Sequence, residues 1–280
     1  MIIDAHLHVW SDNFERYPFA KGVDRKEGAP VELLNETMEA AGVDKAVIVQ
    51  PAYYLYDNRY VAESLEKYPG RFAAIGLVDR SAPDAPDQLE RLVREDGFGG
   101  LRLHLSRPDD PAEWAAPNQD PIWERAGELG ASFISHGPAS LLSAIKPIVA
   151  RFPYVKISLD HNGGAPPNEE DKERPLLNTV LDFAKYPNVH IKLSPQNHRS
   201  QMAFPHADTH DLYRRLYDVY GPQRLMWGTN YPGVMRDLGY GIGYENAHDT
   251  PEAMTTMACL PENLSERRYY EATDRGHEGR

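Results

Sequence analysis

Short runs rich in β-branched and apolar residues alternate along this chain with longer segments whose apolar residues recur every three or four positions. The first pattern reads as buried strands and the second as amphipathic helices. Eight strands are predicted, at 1–8 (MIIDAHLH), 43–50 (VDKAVIVQ), 71–78 (RFAAIGLV), 98–104 (FGGLRLH), 131–136 (ASFISH), 154–160 (YVKISLD), 188–194 (NVHIKLS) and 223–228 (QRLMWG). Helices are predicted at 31–41, 58–67, 85–95, 121–129, 139–150, 175–186 and 207–219. Strands interleaved with helices imply a parallel sheet covered by the helices. Eight of them favour a closed α/β architecture, the (β/α)8 TIM-type barrel, over an open doubly wound sheet. An open sheet usually carries a Gly-rich phosphate turn after its first strand, where this chain has HLHVW. The length of 280 residues suits one barrel domain spanning 1–280, with a polar tail after about 262. The stretches 10–30 and 162–174 (NGGAPPNEEDKER) read as extended loops on the catalytic face of such a barrel. The charge run Glu169 to Arg174 reads as a solvated loop and helix start.

Chemistry-bearing residues gather at the predicted strand ends. His6 and His8 are two apart on the first strand, so both side chains project to one face, and the carboxyl end of that strand places two imidazoles at the barrel mouth. An HxH pair alone is as compatible with a chance surface pair as with metal binding or catalysis, because a metal site needs further ligands from elsewhere. His136 ends the fifth strand and His161 follows the sixth, so four imidazoles fall independently at one face. Polar groups buried together at one end of a barrel normally mean chemistry. Arg102 and His104 alternate on the fourth strand and share a face, where the guanidinium is either a structural ion pair or a fork for a planar anion. Lys192, near the end of the seventh strand, adds a second candidate positive charge, with Arg199 a weaker one. Tyr53, Tyr54 and Tyr56 follow the second strand and Trp10 follows the HxH pair, as aromatic walls for a pocket. Tyr17 and Phe19 read first as loop anchors.

Composition narrows the functional classes. The formal net charge of -12, with no block of Lys and Arg, argues against a nucleic-acid partner. No apolar run approaches the ~20 residues of a membrane helix. The one cysteine, Cys259, excludes an intrachain disulfide and a thiolate metal cluster, and its setting in AMTTMACL resembles a packed helix face. These features lead us to expect a reduced, cytoplasmic, membrane-free protein with a small-molecule anionic substrate attracted by local charge; a homo-oligomer is compatible with them.

The segments IIDAHLHVW, GLRLH, SHG, LDHNGG, IKLS and MWGTNYP resemble, in order and over nearly the whole chain, the strand-end signatures of the amidohydrolase-2 branch of the amidohydrolase superfamily. Within that branch the chain is most similar to lactonases related to 2-pyrone-4,6-dicarboxylate lactonase. The resemblance implies that His6, His8, His136 and position 230 surround a divalent metal, Zn2+ or Mn2+, or the substrate carbonyl in metal-free members. It also implies that His161 orients water or polarises the substrate, with Arg102 holding a substrate carboxylate. The implied reaction is the opening of a carboxylate-bearing lactone, with a position-230 carboxylate activating water. The chain departs from the pattern at that last point, where WGxD(W/Y)P is written MWGTNYP and Asn230 replaces the carboxylate. An amide neither holds a cation nor accepts a proton effectively, so a hydrolase with Asn230 is expected to be crippled. The intact surroundings favour an introduced Asp→Asn substitution, made to trap substrate, over a natural variant. The rival readings are non-oxidative, metal-dependent decarboxylation of an aromatic or enoic acid, a non-catalytic ligand-binding barrel, and amide cleavage.

Overall fold

The structure is a computed structural model that describes residues 1–106, 111–196, 199–203 and 205–233. Cys259 and the polar tail lie outside the described residues. All eight expected strands form, as β1 Ile3–Leu7, β2 Lys45–Val49, β3 Phe72–Ile75, β4 Gly100–His104, β5 Ser132–His136, β6 Ile157–Leu159, β7 Val189–Leu193 and β8 Leu225–Trp227. Every neighbouring pair is parallel, in two ladders ordered β1-β2-β3 and β4-β5-β6-β7-β8.

Two seams join the ladders into a closed cylinder. Between β3 and β4, the Gly76 N–H donates to Gly100 O and the Arg102 N–H to Gly76 O, both at 2.9 Å. Between β8 and β1, the Asn230 N–H donates to His6 O at 2.8 Å and the His8 N–H to Tyr231 O at 2.9 Å. Closure leaves no unpaired edge, and the barrel architecture expected from the alternation of elements is what the chain adopts. Gly100 is required where β4 begins, because its φ is 151° and a Cβ there would lie 1.7 Å from Ser132 O on β5.

Among the described residues seven α-helices cover the outside: α1 Val31–Ala40, α2 Arg59–Lys67, α3 Ala85–Arg94, α4 Asp120–Leu129, α5 Lys146–Arg151, α6 Pro175–Asp182 and α7 His210–Tyr220. Each turns one apolar stripe inward, as with Val31, Leu34 and Met38 on α1 or Leu212, Leu216 and Tyr220 on α7. Gly130 stops α4 in the left-handed conformation at φ 66°. The helix predicted at 139–150 divides into a 3-10 segment, Ala139–Ile145, and α5. Pro147 lies in the first turn of α5, where its missing N–H breaks the ladder from the preceding turn at no further cost. Glu169, from the loop charge run, accepts hydrogen bonds from the Leu176 and Leu177 N–H groups at 2.8 and 3.2 Å and so caps α6.

The main core lies between strands and helices, with Trp123 and Phe133 in edge-to-face contact at 4.6 Å. Burying each such large side chain contributes roughly 1.5–3 kcal/mol. A separate small cluster, Val49, Ile75 and Ile134 with Val47 against it, occupies the inside of the cylinder. Among the described residues no helix is long and apolar enough to cross a membrane.

Candidate active site

Alternation along the strands turns Asp4 and His6 of β1, Arg102 and His104 of β4, His136 of β5 and Lys192 of β7 toward the barrel interior, while Asp160 follows β6. The imidazoles meet in one continuous chain of ring contacts. His8 to His6 measures 5.0 Å, His6 to His161 4.7 Å, His161 to His136 5.3 Å and His136 to His104 5.3 Å. The four histidines singled out from the sequence therefore form one contiguous cluster with His104.

Hydrogen bonding assigns the tautomers. His6 Nδ1 lies 3.1 Å from Asp160 Oδ1 and His8 Nδ1 lies 2.7 Å from the Val49 carbonyl, and neither partner can donate. Both Nδ1 atoms therefore carry the proton, and both Nε2 atoms present lone pairs. Those two Nε2 atoms face each other at 3.3 Å. Two facing lone pairs repel unless an electrophile, a cation or a proton, lies beside them, so this is the arrangement of paired metal-binding imidazoles oriented by outer hydrogen bonds. A grouping of His6, Asp160 and His161 also brings ligand atoms within 4.8 Å of one another. Asp160, however, already accepts from His6 through Oδ1 and from Arg102 Nε at 3.1 Å through Oδ2. It orients donors rather than adding one, and the fit for a divalent ion rests on the His6 and His8 Nε2 pair.

Asp160 is the electrostatic centre of the interior. Its fully buried carboxylate touches His6 and Arg102 and lies 3.9 Å from Lys192 Nζ. Burial alone would raise it, but His6 and Arg102 hold it well below the usual carboxylate range. Burial in turn lowers His6 against the pull of Asp160. Burial, reinforced by the nearby Arg102 guanidinium, pushes His8 and His136 each down to about 3. Burial takes His161 to about 4 despite Asp160. The site at neutral pH is thus an ionised carboxylate among neutral imidazoles. Burial also lowers Lys192 to about 8, against the attraction of Asp160, and its Nζ makes no hydrogen bond among the described residues.

The loop after β6 is bent to serve the site. His161, Asn162, Gly163 and Gly164 all have positive φ, a run in which two non-glycine residues carry strain. A Cβ on Gly164 would lie 2.2 Å from Gly137 O, so this turn packs directly on the β5 loop. Asn162 staples the strained turn to the end of β7, its Nδ2 donating to Ser194 O and its Oδ1 accepting from the Ser194 N–H. The result aims His161 with Nδ1 3.0 Å from Ser194 Oγ and Nε2 3.5 Å from Arg102 Nη2. Since arginine only donates, that Nε2 is the accepting nitrogen.

Asn230 follows β8 at φ 57°, held beside His6 by its backbone hydrogen bond. The buried Asp4 carboxylate secures this loop through Thr229 Oγ1 at 2.5 Å and the Thr229 N–H. Burial raises the Asp4 carboxyl, and Thr229 partly offsets this. The Tyr231–Pro232 peptide is cis.

The aromatic candidates separate. Trp10 is buried with Nε1 donating to Glu27 O, and the Tyr54 hydroxyl accepts from the Ser11 N–H. Tyr53 accepts from Arg25 at its hydroxyl and meets Trp10 edge-to-face. These three brace the β1 loop, while Tyr56 lines a cavity of ≈ 140 Å³ together with Arg102 and His104. Arg199 is exposed. Tyr17, packed on Tyr60 and bonded to Glu63, anchors its loop.

Three polar residues around the site escaped sequence reasoning. Asp160 stands at the end of the strand predicted over 154–160, where a carboxylate closing the apolar run VKISL is itself a signal. Asp4 sat beside the HxH pair in the same way, two residues before His6. Arg80, which lines the same cavity as Arg102, carried no signal at all.

Residues 3–259 match the amidohydrolase family. The chain belongs to that family. Among curated relatives it is 28% identical to L-fucono-1,5-lactonase of Burkholderia ambifaria, over 85% of this chain and 82% of the relative. It is 25% identical to 4-sulfomuconolactone hydrolase of Hydrogenophaga intermedia, over 82% of this chain and 74% of the relative. Among solved structures it resembles a probable 2-pyrone-4,6-dicarboxylic acid hydrolase of Acinetobacter baumannii with citric acid bound, at TM-score 0.72 and 20% identity, covering 85% of this chain and 86% of that one. It also resembles a Burkholderia multivorans amidohydrolase with bound zinc, at TM-score 0.69 and 21% identity, covering 83% of this chain and 84% of that one. These two structures bear out the barrel fold, and the family match bears out the amidohydrolase-2 resemblance.

Proposed function

We propose that this amidohydrolase-family chain is built to open the ring of a carboxylate-bearing lactone by attack of water. The observation that carries the reading is the convergence of the His6 and His8 Nε2 lone pairs at 3.3 Å, beside Arg102 and directly next to the β8 loop that bears residue 230. The names of the two curated relatives, both lactone-opening enzymes, support ring opening of a lactone, and the sulfomuconolactone of the second is an anionic one.

His6 and His8 would hold a divalent ion such as Zn2+ or Mn2+, which when bound supplies Lewis-acid polarisation of an ester carbonyl. Asp160 and the Val49 carbonyl keep the two rings in the tautomer that such binding needs. Arg102 spends Nε on Asp160, which leaves the outer edge of its fork for the substrate carboxylate at the cavity wall. His136, whose Nδ1 makes no hydrogen bond among the described residues, offers a ring nitrogen on the same wall as the reacting carbonyl. His161, fixed by Ser194, would orient the attacking water through Nε2 once the long 3.5 Å contact of that atom with Arg102 gives way to substrate. Asn230 can hold that water by its amide and cannot take its proton, so ring opening by this chain is slow.

The test is Asn230→Asp, assayed with L-fucono-1,5-lactone and 4-sulfomuconolactone by acid release. The substitution is expected to raise turnover by ~100-fold or more on at least one of them, the contribution of a well-placed general base. Equal rates before and after would remove residue 230 from the role of base. The absence of ring opening of either lactone by both proteins would end the lactonase reading.

A further inference from the structure

The seam that closes the barrel between β8 and β1 is held by a carboxylate that the ring-opening chemistry does not use. Asp4, on β1 and 3% exposed, accepts from the His6 N–H at 3.0 Å and the Thr229 N–H at 3.1 Å through Oδ1, and from Thr229 Oγ1 at 2.5 Å through Oδ2. Thr229 Oγ1 in turn accepts from the Tyr231 N–H at 3.1 Å, so its one proton is free for Asp4. The relay therefore runs from the strand of the HxH pair, through one carboxylate and one hydroxyl, into the peptide that follows residue 230.

The turn that carries residue 230 is laid directly on the backbone of the two histidines. Asn230 has φ 57°, a left-handed conformation that Asn and Asp enter more readily than other residues bearing a side chain. Its N–H donates to His6 O at 2.8 Å, and Tyr231 O accepts from the His8 N–H at 2.9 Å. Just before it, β8 passes so close to β1 that a Cβ on Gly228 would lie 2.7 Å from His6 Cβ. These backbone contacts set the height of the turn along β1. Where a left-handed residue sends its side chain depends on the peptides around it, and the N–H that follows residue 230 is bonded to Thr229 Oγ1, which Asp4 fixes. Asp4 thus holds both sides of the seam, the His6 N–H on one strand and Thr229 on the other.

We infer that Asp4, acting through Thr229, is a positioning residue that sets the side chain of residue 230 against the His6 and His8 Nε2 pair, so that a carboxylate at 230 adds fully to their hold on a divalent ion only while the relay is intact. This rests on the reading of His6 and His8 as the ion-holding pair and not on the lactone. A purely structural seam affects the site alike whatever stands at position 230. A positioning role shows itself only when that position has a donor to place, since the two imidazoles have outer partners of their own in Asp160 and the Val49 carbonyl.

The test is a double-mutant cycle in Zn2+ affinity, measured by calorimetry on the metal-stripped full chain with no lactone present. Asn230→Asp is expected to raise the affinity by about 30-fold when made alone and by less than about threefold when made beside Thr229→Val, because outer hydrogen bonds of metal sites are worth roughly 10–100-fold. Valine keeps the shape of threonine without its hydroxyl. Thr229→Ser, which keeps the hydroxyl, is expected to preserve the gain, and Thr229→Val made alone to change the affinity by less than about threefold. Thermal melting shows that each variant is folded. An equal gain beside Thr229→Val overturns the assignment, as does a gain that Thr229→Ser also abolishes, no gain from Asn230→Asp at all, or no binding of Zn2+ by any of the proteins. If the cycle shows the coupling while Asn230→Asp opens no lactone, the positioning assignment stands and the ring-opening reading falls. If Asn230→Asp speeds lactone opening while the cycle is additive, the positioning assignment falls alone.

Discussion

The inside of this barrel has two unlike halves. On β2, β3 and β5 the interior is filled by Val49, Ile75 and Ile134, which pack on one another. On β1, β4, β6 and β7 it is filled by His6, Arg102, Asp160 and Lys192, bound together by a single carboxylate. The apolar half is held by many small dispersion contacts and tolerates the loss of a single methyl. The charged half acts as a unit, because each buried charge is tolerable only while its partner is present.

The largest effect that separates the halves should come from Asp160→Ala. It leaves Arg102 and Lys192 buried without a counter-charge and frees the His6 tautomer. Urea unfolding is expected to show a loss of about 3–5 kcal/mol, the usual result of breaking one side of a buried pair. A loss below 1 kcal/mol would mean that the halves do not differ in kind.

Acid should act next, and only through the charged half. His8 and His136 at about 3 and His161 at about 4 lie below the unfolded histidine value of 6.5, so between those limits the unfolded chain binds more protons. Their contribution is complete above pH 6.5 and falls as pH drops toward 4, by on the order of 1 kcal/mol per histidine per pH unit. Melting temperatures of metal-stripped protein should fall steadily from pH 6.5 to 4.5, and a flat profile would contradict the neutral, buried state of these rings. The smallest effect is reserved for the apolar half. Ile134→Val should cost about 0.5–1.5 kcal/mol, the loss of one buried methyl, with lactone turnover of the Asn230→Asp protein within twofold.

The same division governs what was legible in the chain. The strands were read at nearly full extent because each announces itself by a local apolar run, and the structure shortens them by one to four residues only where loops peel away. The helix at 139–150 was misread at its first half because apolar spacing does not distinguish α from 3-10 geometry ahead of Pro147. The histidines were legible as a group because they lie at or just past the carboxyl ends of strands, His6 and His8 sharing the first. The aromatic candidates were less so: Tyr53, Tyr54 and Tyr56 look alike in QPAYYLYDN, and only the turn at Ala52–Tyr54 sends Tyr56 to the cavity and the other two into loop packing.

From the chain alone came the eight-fold alternation, the shared face of His6 and His8, and the amide standing at position 230, since periodicity and residue type are properties of short stretches. The folded molecule alone decided that Asp160 binds residues 154 and 58 positions away and that Arg80 rests on Trp114 at the rim of the Arg102 cavity. Those partners are brought together by the closure of a cylinder, and no local pattern records which side chains a closed cylinder will place face to face.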